Sequence, residues 1–171
     1  MSETGLAAIL GRLVGVPRVV ASGNFATPTT VLRVLDGVVA EYRLFMVNAQ
    51  ADIPDRPEVI LETPFVGPGM RAHPNLRYFP SRLSLVPYLL KGALPPDVVL
   101  VHTSTPHEGT VSLGAEVNIL PAAIEAARSR GGLVIAQLNR KMPYTYGDGV
   151  LSEDEIDYAI EVDAPLPAPR F

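Results

Sequence analysis

Short apolar runs alternate along this chain with segments of helical periodicity. Met1 to Val14 puts Glu3 ahead of a short apolar run and predicts an amphipathic first helix. Residues 18–21 read as a short buried strand, followed by the small-residue turn Ser22-Gly23-Asn24-Phe25. Thr27 is placed to cap a helix whose first position is Pro28, where a missing N–H costs nothing. Val31, Leu32, Val34, Leu35 and Val38 recur at helical spacing, and Gly37 marks the end of that pattern. Strands are predicted at 42–47 and 59–62, joined by the polar, proline-containing stretch 51–57. After a glycine-rich turn come the stretch 76–79 and a short helix around 83–90, its length limited by Pro87.

The run 97–101 is apolar on both faces, as expected of a strand covered on both sides in a parallel sheet. The clearest helix spans 119–130, where Ala122, Ala123, Ala126 and Ala127 permit close packing. Arg128 and Arg130 lie at its negative end, and Gly131-Gly132 stops it. A buried strand follows at 133–138 and an edge strand at 159–162. This β-α-β rhythm predicts an α/β fold: a mainly parallel open sheet with helices on both faces and right-handed crossovers. One domain is expected over 1–162, and 163–171, with three prolines, reads as a linker leaving it.

Composition narrows the function classes. The 171 residues suit one full-sized core, and 47% hydrophobic content argues against disorder. A net charge of −4 without a dense Lys/Arg stripe argues against nucleic acid as a partner. The chain has no cysteine, which excludes disulfides, thiolate metal sites and a cysteine nucleophile. The acid before the first apolar run is unlike a secretory signal, and no apolar run approaches the ~18 residues of a membrane span, so a cytoplasmic location is expected.

Four loops after strands are candidates for chemistry. The first is Ser22 to Phe25, whose amides precede a helix N-terminus and could hold a carboxylate or an oxyanion. In the second, Phe65 to Arg71, Gly67 and Gly69 are able to take positive φ and bring backbone close to a ligand, while Arg71 could pair with an anion. The third, Thr103 to Gly114, is long for a compact domain. His102 and His107 lack a third metal ligand, and Ser104 with His107 lacks the strained turn of a hydrolase serine; no metal is expected. The fourth follows the apolar run Leu133 to Leu138 and carries Asn139, Met142, Pro143, Tyr144, Thr145, Tyr146 and Asp148. Such a break marks the carboxyl edge of an open sheet, where ligands bind. Asn139 either serves a ligand or locks the following turn.

At these residues the chain resembles the acetyl-CoA hydrolase/transferase family, the class I coenzyme A transferases that include 4-hydroxybutyrate CoA-transferase. Four segments carry the resemblance: Val19-Val20-Ala21-Ser22-Gly23 through Pro28; Phe65-Val66-Gly67 through Arg71 and on to Val86-Pro87; Val111-Ser112-Leu113-Gly114 with the alanine-rich helix after it; and Ala136-Gln137-Leu138-Asn139 through Asp148, continuing to Asp157 and Glu161. Two departures stand out. Gln137 occupies a position where the family commonly has glutamate, and Thr105-Pro106-His107-Glu108 replaces a common Pro-Pro-Asp-containing loop.

The resemblance implies the CoA-transferase, NagB/RpiA-like arrangement and covalent catalysis by a glutamate that attacks an acyl-CoA thioester. In the family that glutamate belongs to a second domain, and none of Glu58, Glu62, Glu108, Glu116 or Glu125 matches its motif. This chain is therefore expected to be the N-terminal half, with the C-terminal catalytic domain or a partner subunit supplying the nucleophile, and to be inactive alone. One wall of the acyl/CoA cleft is expected from Gly23, Asn24, Met46, Gly67, Gly69, Arg71 and Asn139. Acyl-CoA and a small carboxylic acid are the implied substrates, with no cofactor beyond the coenzyme A thioester as substrate. An exposed apolar face is expected where the second domain docks, and with it oligomerisation. The alternative is a non-catalytic domain that binds acyl-CoA, a carboxylate or a partner protein.

Overall fold

The computed structural model describes residues 1–168; the prolyl end of the expected linker, 169–171, lies outside the described residues. Nine strands are described: β1 (Arg18–Ala21), β2 (Tyr42–Phe45), β3 (Val59–Thr63), β4 (Leu76–Tyr78), β5 (Val98–Thr103), β6 (Thr110–Ser112), β7 (Leu133–Asn139), β8 (Val150–Ser152) and β9 (Tyr158–Val162). Four α-helices accompany them: α1 (Glu3–Leu10), α2 (Thr29–Val38), α3 (Val86–Lys91) and α4 (Leu120–Arg128). Seven strands form one parallel sheet in the order β4-β3-β2-β1-β5-β7-β9. The remaining two, β6 and β8, make a small antiparallel pair.

Each central strand feeds two cores, because successive side chains point to opposite faces. Val19, Leu44, Leu61, Val98 and Ile135 pack with Leu6, Leu10, Val31 and Leu35 of α1 and α2. Their neighbours Val20, Phe45, Val99 and Val134 pack instead with Val86 and Leu90 of α3 and with Ile124 and Ala127 of α4. That explains the unbroken apolar runs of β5 and β7: both faces are covered.

The sheet starts at β1, and the chain winds outward to β4, then returns beside β1 as β5 and winds the other way. The reversal puts a topological switch point between β1 and β5, and ligands of open α/β sheets bind outside the carboxyl ends of the strands there.

Three local expectations need correcting. Thr27 does not cap α2: the helix starts at Thr29, with Pro28 before it and no side-chain cap from that segment. The side chain of Gln137 on β7 does the work instead, its Oε1 accepting from the amides of Thr30 and Val31 at 3.0 and 3.2 Å. Pro87 does not cut a helix short; it sits in the first turn of α3, after a 3-10 turn at Leu83–Leu85. The long polar connection after β5 is not one loop, since it folds into a hairpin whose second arm, β6, pairs with β8.

Candidate functional site at the carboxyl edge of the sheet

Three turns interlock at the ends of β1, β2 and β3. The segment after β2 runs between the other two: Asn24 donates its amide to the Asn48 carbonyl (3.3 Å), Asn48 to that of Phe65 (3.0 Å), and Gly69 to that of Ala49 (2.9 Å). The approach is so close that only glycine fits. A Cβ on Gly23 would lie 1.9 Å from the Val47 carbonyl oxygen, on Gly67 2.3 Å from that of Ala49, and on Gly69 2.0 Å from that of Gln50. Gly67 and Gly69 do not take positive φ, contrary to the reading of their loop. They are glycine because backbone passes against backbone.

The residues that do take positive φ here are Asn24 (45°) and Asn48 (50°), a conformation asparagine tolerates better than most side chains. Their amides join: Asn48 Nδ2 donates to Asn24 Oδ1, and Asn24 Nδ2 donates to Glu116 Oε2 at 2.7 Å. Glu116 comes from the turn between β6 and α4 and is buried. Burial pushes its carboxyl above the usual carboxylate range, partly offset by the Asn24 bond. Asn48 and Glu116 were absent from the sequence-based candidates. An asparagine three residues past the end of β2 was a usable signal for the first; nothing local announces burial of the second.

Asn139 ends β7 with all four hydrogen-bonding positions in use. It donates to the Ala164 carbonyl (2.9 Å) and to Nε2 of His102 (3.0 Å), and its Oδ1 accepts from the amides of Lys141 (3.0 Å) and Ala164 (3.4 Å). Of the two roles open to it, locking the turn is the one observed. It also holds the first residues of the tail, which therefore do not leave the domain at 163. The amide donating to Nε2 leaves the His102 proton on Nδ1, an atom buried without a hydrogen-bond partner among the described residues. Burial lowers the His102 pKa to about 4, opposed by the backbone of Thr27 and Ala26. His102 lines a cavity of about 260 Å³ together with Thr27, Gln50, Gln137 and the strap Ala164 to Pro167.

The remaining candidates are placed differently. Met46 is fully buried in the core beneath α1 and α2, so its side chain faces no cleft. Arg71 is exposed and has no ion-pair partner among the described residues. Ser104 gives its hydroxyl to Thr105 and accepts from Ser112, and His107 stacks edge-on against Tyr144 at the hairpin tip, so they form no nucleophile pair. Thr145 is tied to Ser112 and Gly114, and Met142 sits against Gly114, which takes φ of 61°. Most of the fourth loop thus serves packing; Tyr146 alone of its aromatics is exposed. Glu62 is buried in a two-pronged ion pair with Arg18 (2.8 and 3.2 Å). A larger hollow of about 540 Å³ lies beside α2, but Arg33 there pairs with Glu3, and Asp36 with Arg56 and Tyr42. No group of three or more potential metal ligands occurs among the described residues.

Residues 49–169 match the family model described as the acetyl-CoA hydrolase/transferase N-terminal domain. The chain belongs to that family. It is 38% identical over 91 residues to a 4-hydroxybutyrate coenzyme A transferase of Clostridium kluyveri, a match covering 52% of this chain and 20% of that protein. A solved 4-hydroxybutyrate CoA-transferase from Porphyromonas gingivalis superposes with a TM-score of 0.73 at 25% identity, over 98% of this chain and 40% of that one. RipA from Yersinia pestis shares the fold at a TM-score of 0.84 and 20% identity, over 99% of this chain and 46% of its own. The family member described here thus spans less than half of each of these solved relatives.

Proposed function

We propose that this domain forms one wall of an acyl-CoA and carboxylate cleft in an acetyl-CoA hydrolase or acyl-CoA:carboxylate CoA-transferase, with the attacking carboxylate supplied by a second domain or subunit. The observation that carries the reading is family membership over 49–169, joined to the Asn48–Asn24–Glu116 chain at the switch point. In this mechanism the outside carboxylate attacks the thioester carbonyl, expels coenzyme A thiolate and becomes an acyl anhydride. The thiolate then attacks the enzyme's half of the anhydride and releases the first acid. An incoming acid, or water, completes the turnover.

Each attack builds an oxyanion that needs a fixed donor. The Asn24 amide fits that task, because one of its N–H groups is spent on Glu116 and its oxygen on Asn48, while the other N–H has no partner among the described residues. Arg71 is suited to the anionic groups of coenzyme A. Gly23, Gly67 and Gly69 shape the wall by letting the turns interlock, and Asn139 braces it. No cofactor beyond the thioester is part of this reading, and it places the enzyme in the cytoplasm; no helix among the described residues is long and apolar enough to cross a membrane.

Acyl-CoA:acetate exchange is to be assayed with this chain alone and with its second half. Exchange is expected only in the combination, and Asn24→Ala there should lower kcat about 100-fold, the usual effect of deleting an oxyanion donor. An acylated side chain trapped on the lone domain would overturn the division of labour. Acyl-CoA binding without exchange in the combination would favour a non-catalytic binding domain.

A further inference from the structure

Glu116 is a carboxyl with no cation. Its exposure is 8%, and no lysine or arginine pairs with it among the described residues. One oxygen, Oε2, is occupied by the Asn24 amide; the other, Oε1, has no hydrogen-bond partner among the described residues. Three elements meet at this point: the turn after β1 brings Asn24, the turn after β2 brings Asn48, and the turn before α4 brings Glu116 itself. None of them brings Glu116 an ion-pair partner among the described residues. An uncompensated buried carboxylate is expensive, so this one keeps its proton more tightly than a surface glutamate.

This inference rests on the carboxylate-exchange reading of the crevice and goes further into it. We propose that Glu116 is a substrate-selecting residue: carrying a proton on Oε1, it donates to the carboxylate of an incoming small acid docked beside Asn24, and without that proton it turns the acid away. Two carboxyl groups at hydrogen-bond distance share one proton and do not both ionise. Binding of the acid therefore draws a proton to Glu116. In the ionised state Glu116 favours water as the attacking group: the water oxygen bonds to the carbonyl of the enzyme thioester, the bond to the coenzyme A sulfur breaks and the thiolate leaves, and the proton released by the water passes to Glu116. Acceptor choice then follows the protonation of one residue.

The test is calorimetric binding of acetate to the full-length protein across a pH range in which acetate itself stays ionised, with acetamide as the neutral probe. Wild type is expected to lose affinity for acetate about tenfold per pH unit once Glu116 ionises, as one linked proton requires. Acetamide should show no such slope. Glu116→Gln, which keeps an acceptor for Asn24 and supplies an N–H at any pH, should bind acetate equally at both ends of the range. A pH-independent acetate affinity in wild type, an equal slope for acetamide, or no acetate binding at any pH would overturn the proposal. The wild-type comparison of the two probes decides the matter even if the variant fails to fold. Thioester exchange is scored separately: proton-linked acetate binding without exchange removes the CoA-transferase reading and leaves the role of Glu116 standing.

Discussion

Burial acts on His102 and Glu116 with opposite signs. His102 is held neutral, its pKa falling from 6.5 to about 4. The unfolded chain therefore takes up a proton at this residue first as the solution is acidified. Stability supplied by the neutral imidazole is complete above 6.5 and is lost as pH falls towards 4, a loss of about 3 kcal/mol by linkage. Urea unfolding of wild type and His102→Gln over that window should show the acid slope shrinking in the variant. Glu116 behaves in reverse. Its raised value means the folded state keeps the proton longer, so its contribution is complete below the ordinary carboxylate range and is lost as pH rises through the folded value. Glu116→Gln should therefore gain on wild type at pH 8 relative to pH 5. Asn24 and Asn139 were both readable as candidates from their places after apolar runs. Their partners were not, because Asn24 meets Glu116 across 92 positions and Asn139 meets His102 across 37.

At the scale of elements, α2 shows how a helix start can be set from outside. Thr27 and Pro28 carry the local signature of a cap, yet the amides of Thr30 and Val31 are satisfied by Gln137, over a hundred positions away. Gln137→Ala should cost about 1 kcal/mol, as loss of a cap does, measured by thermal or chemical unfolding. Gly37 lies inside the same helix with nothing within 4 Å of an added Cβ. Gly37→Ala should stabilise by about 0.5–1 kcal/mol, since alanine loses less freedom on folding. Gly67→Ala and Gly69→Ala should do the opposite, by more than 1–3 kcal/mol, because the new methyl meets backbone and not a yielding side chain. Restoration of stability in either by a compensating shift with no change in the Asn24 and Asn48 resonances would contradict the interlock. Strands β1, β2, β3, β5, β7 and β9 were all legible as apolar runs. The hairpin arm β6 was not, since three residues, Thr110 to Ser112, carry too little periodicity to stand out from a polar loop.

Across the whole molecule, the strand order places the closing turns of β1, β2, β3 and β5 on one edge, and the strap Ala164 to Pro167 covers part of it. Large apolar side chains are left exposed around the β3–β4–α3 side: Phe65, Tyr78, Leu83, Leu85 and Tyr88. A surface of that kind favours association. Sedimentation of the isolated domain should show concentration-dependent self-association that weakens in a Leu83→Glu, Tyr88→Glu double variant; a monomer at all concentrations would mean these residues are merely solvated. The amino-acid sequence by itself determined the α/β class, the parallel sheet and the family, because apolar periodicity and short motifs are properties of neighbouring residues. Only the tertiary structure decided that three glycines serve backbone contact, that Gln137 starts α2 and that Glu116 lies buried against Asn24. The reason is physical: closeness of backbones, satisfaction of helix amides and desolvation of a carboxyl all depend on what distant segments bring to the same point, and no local pattern encodes that.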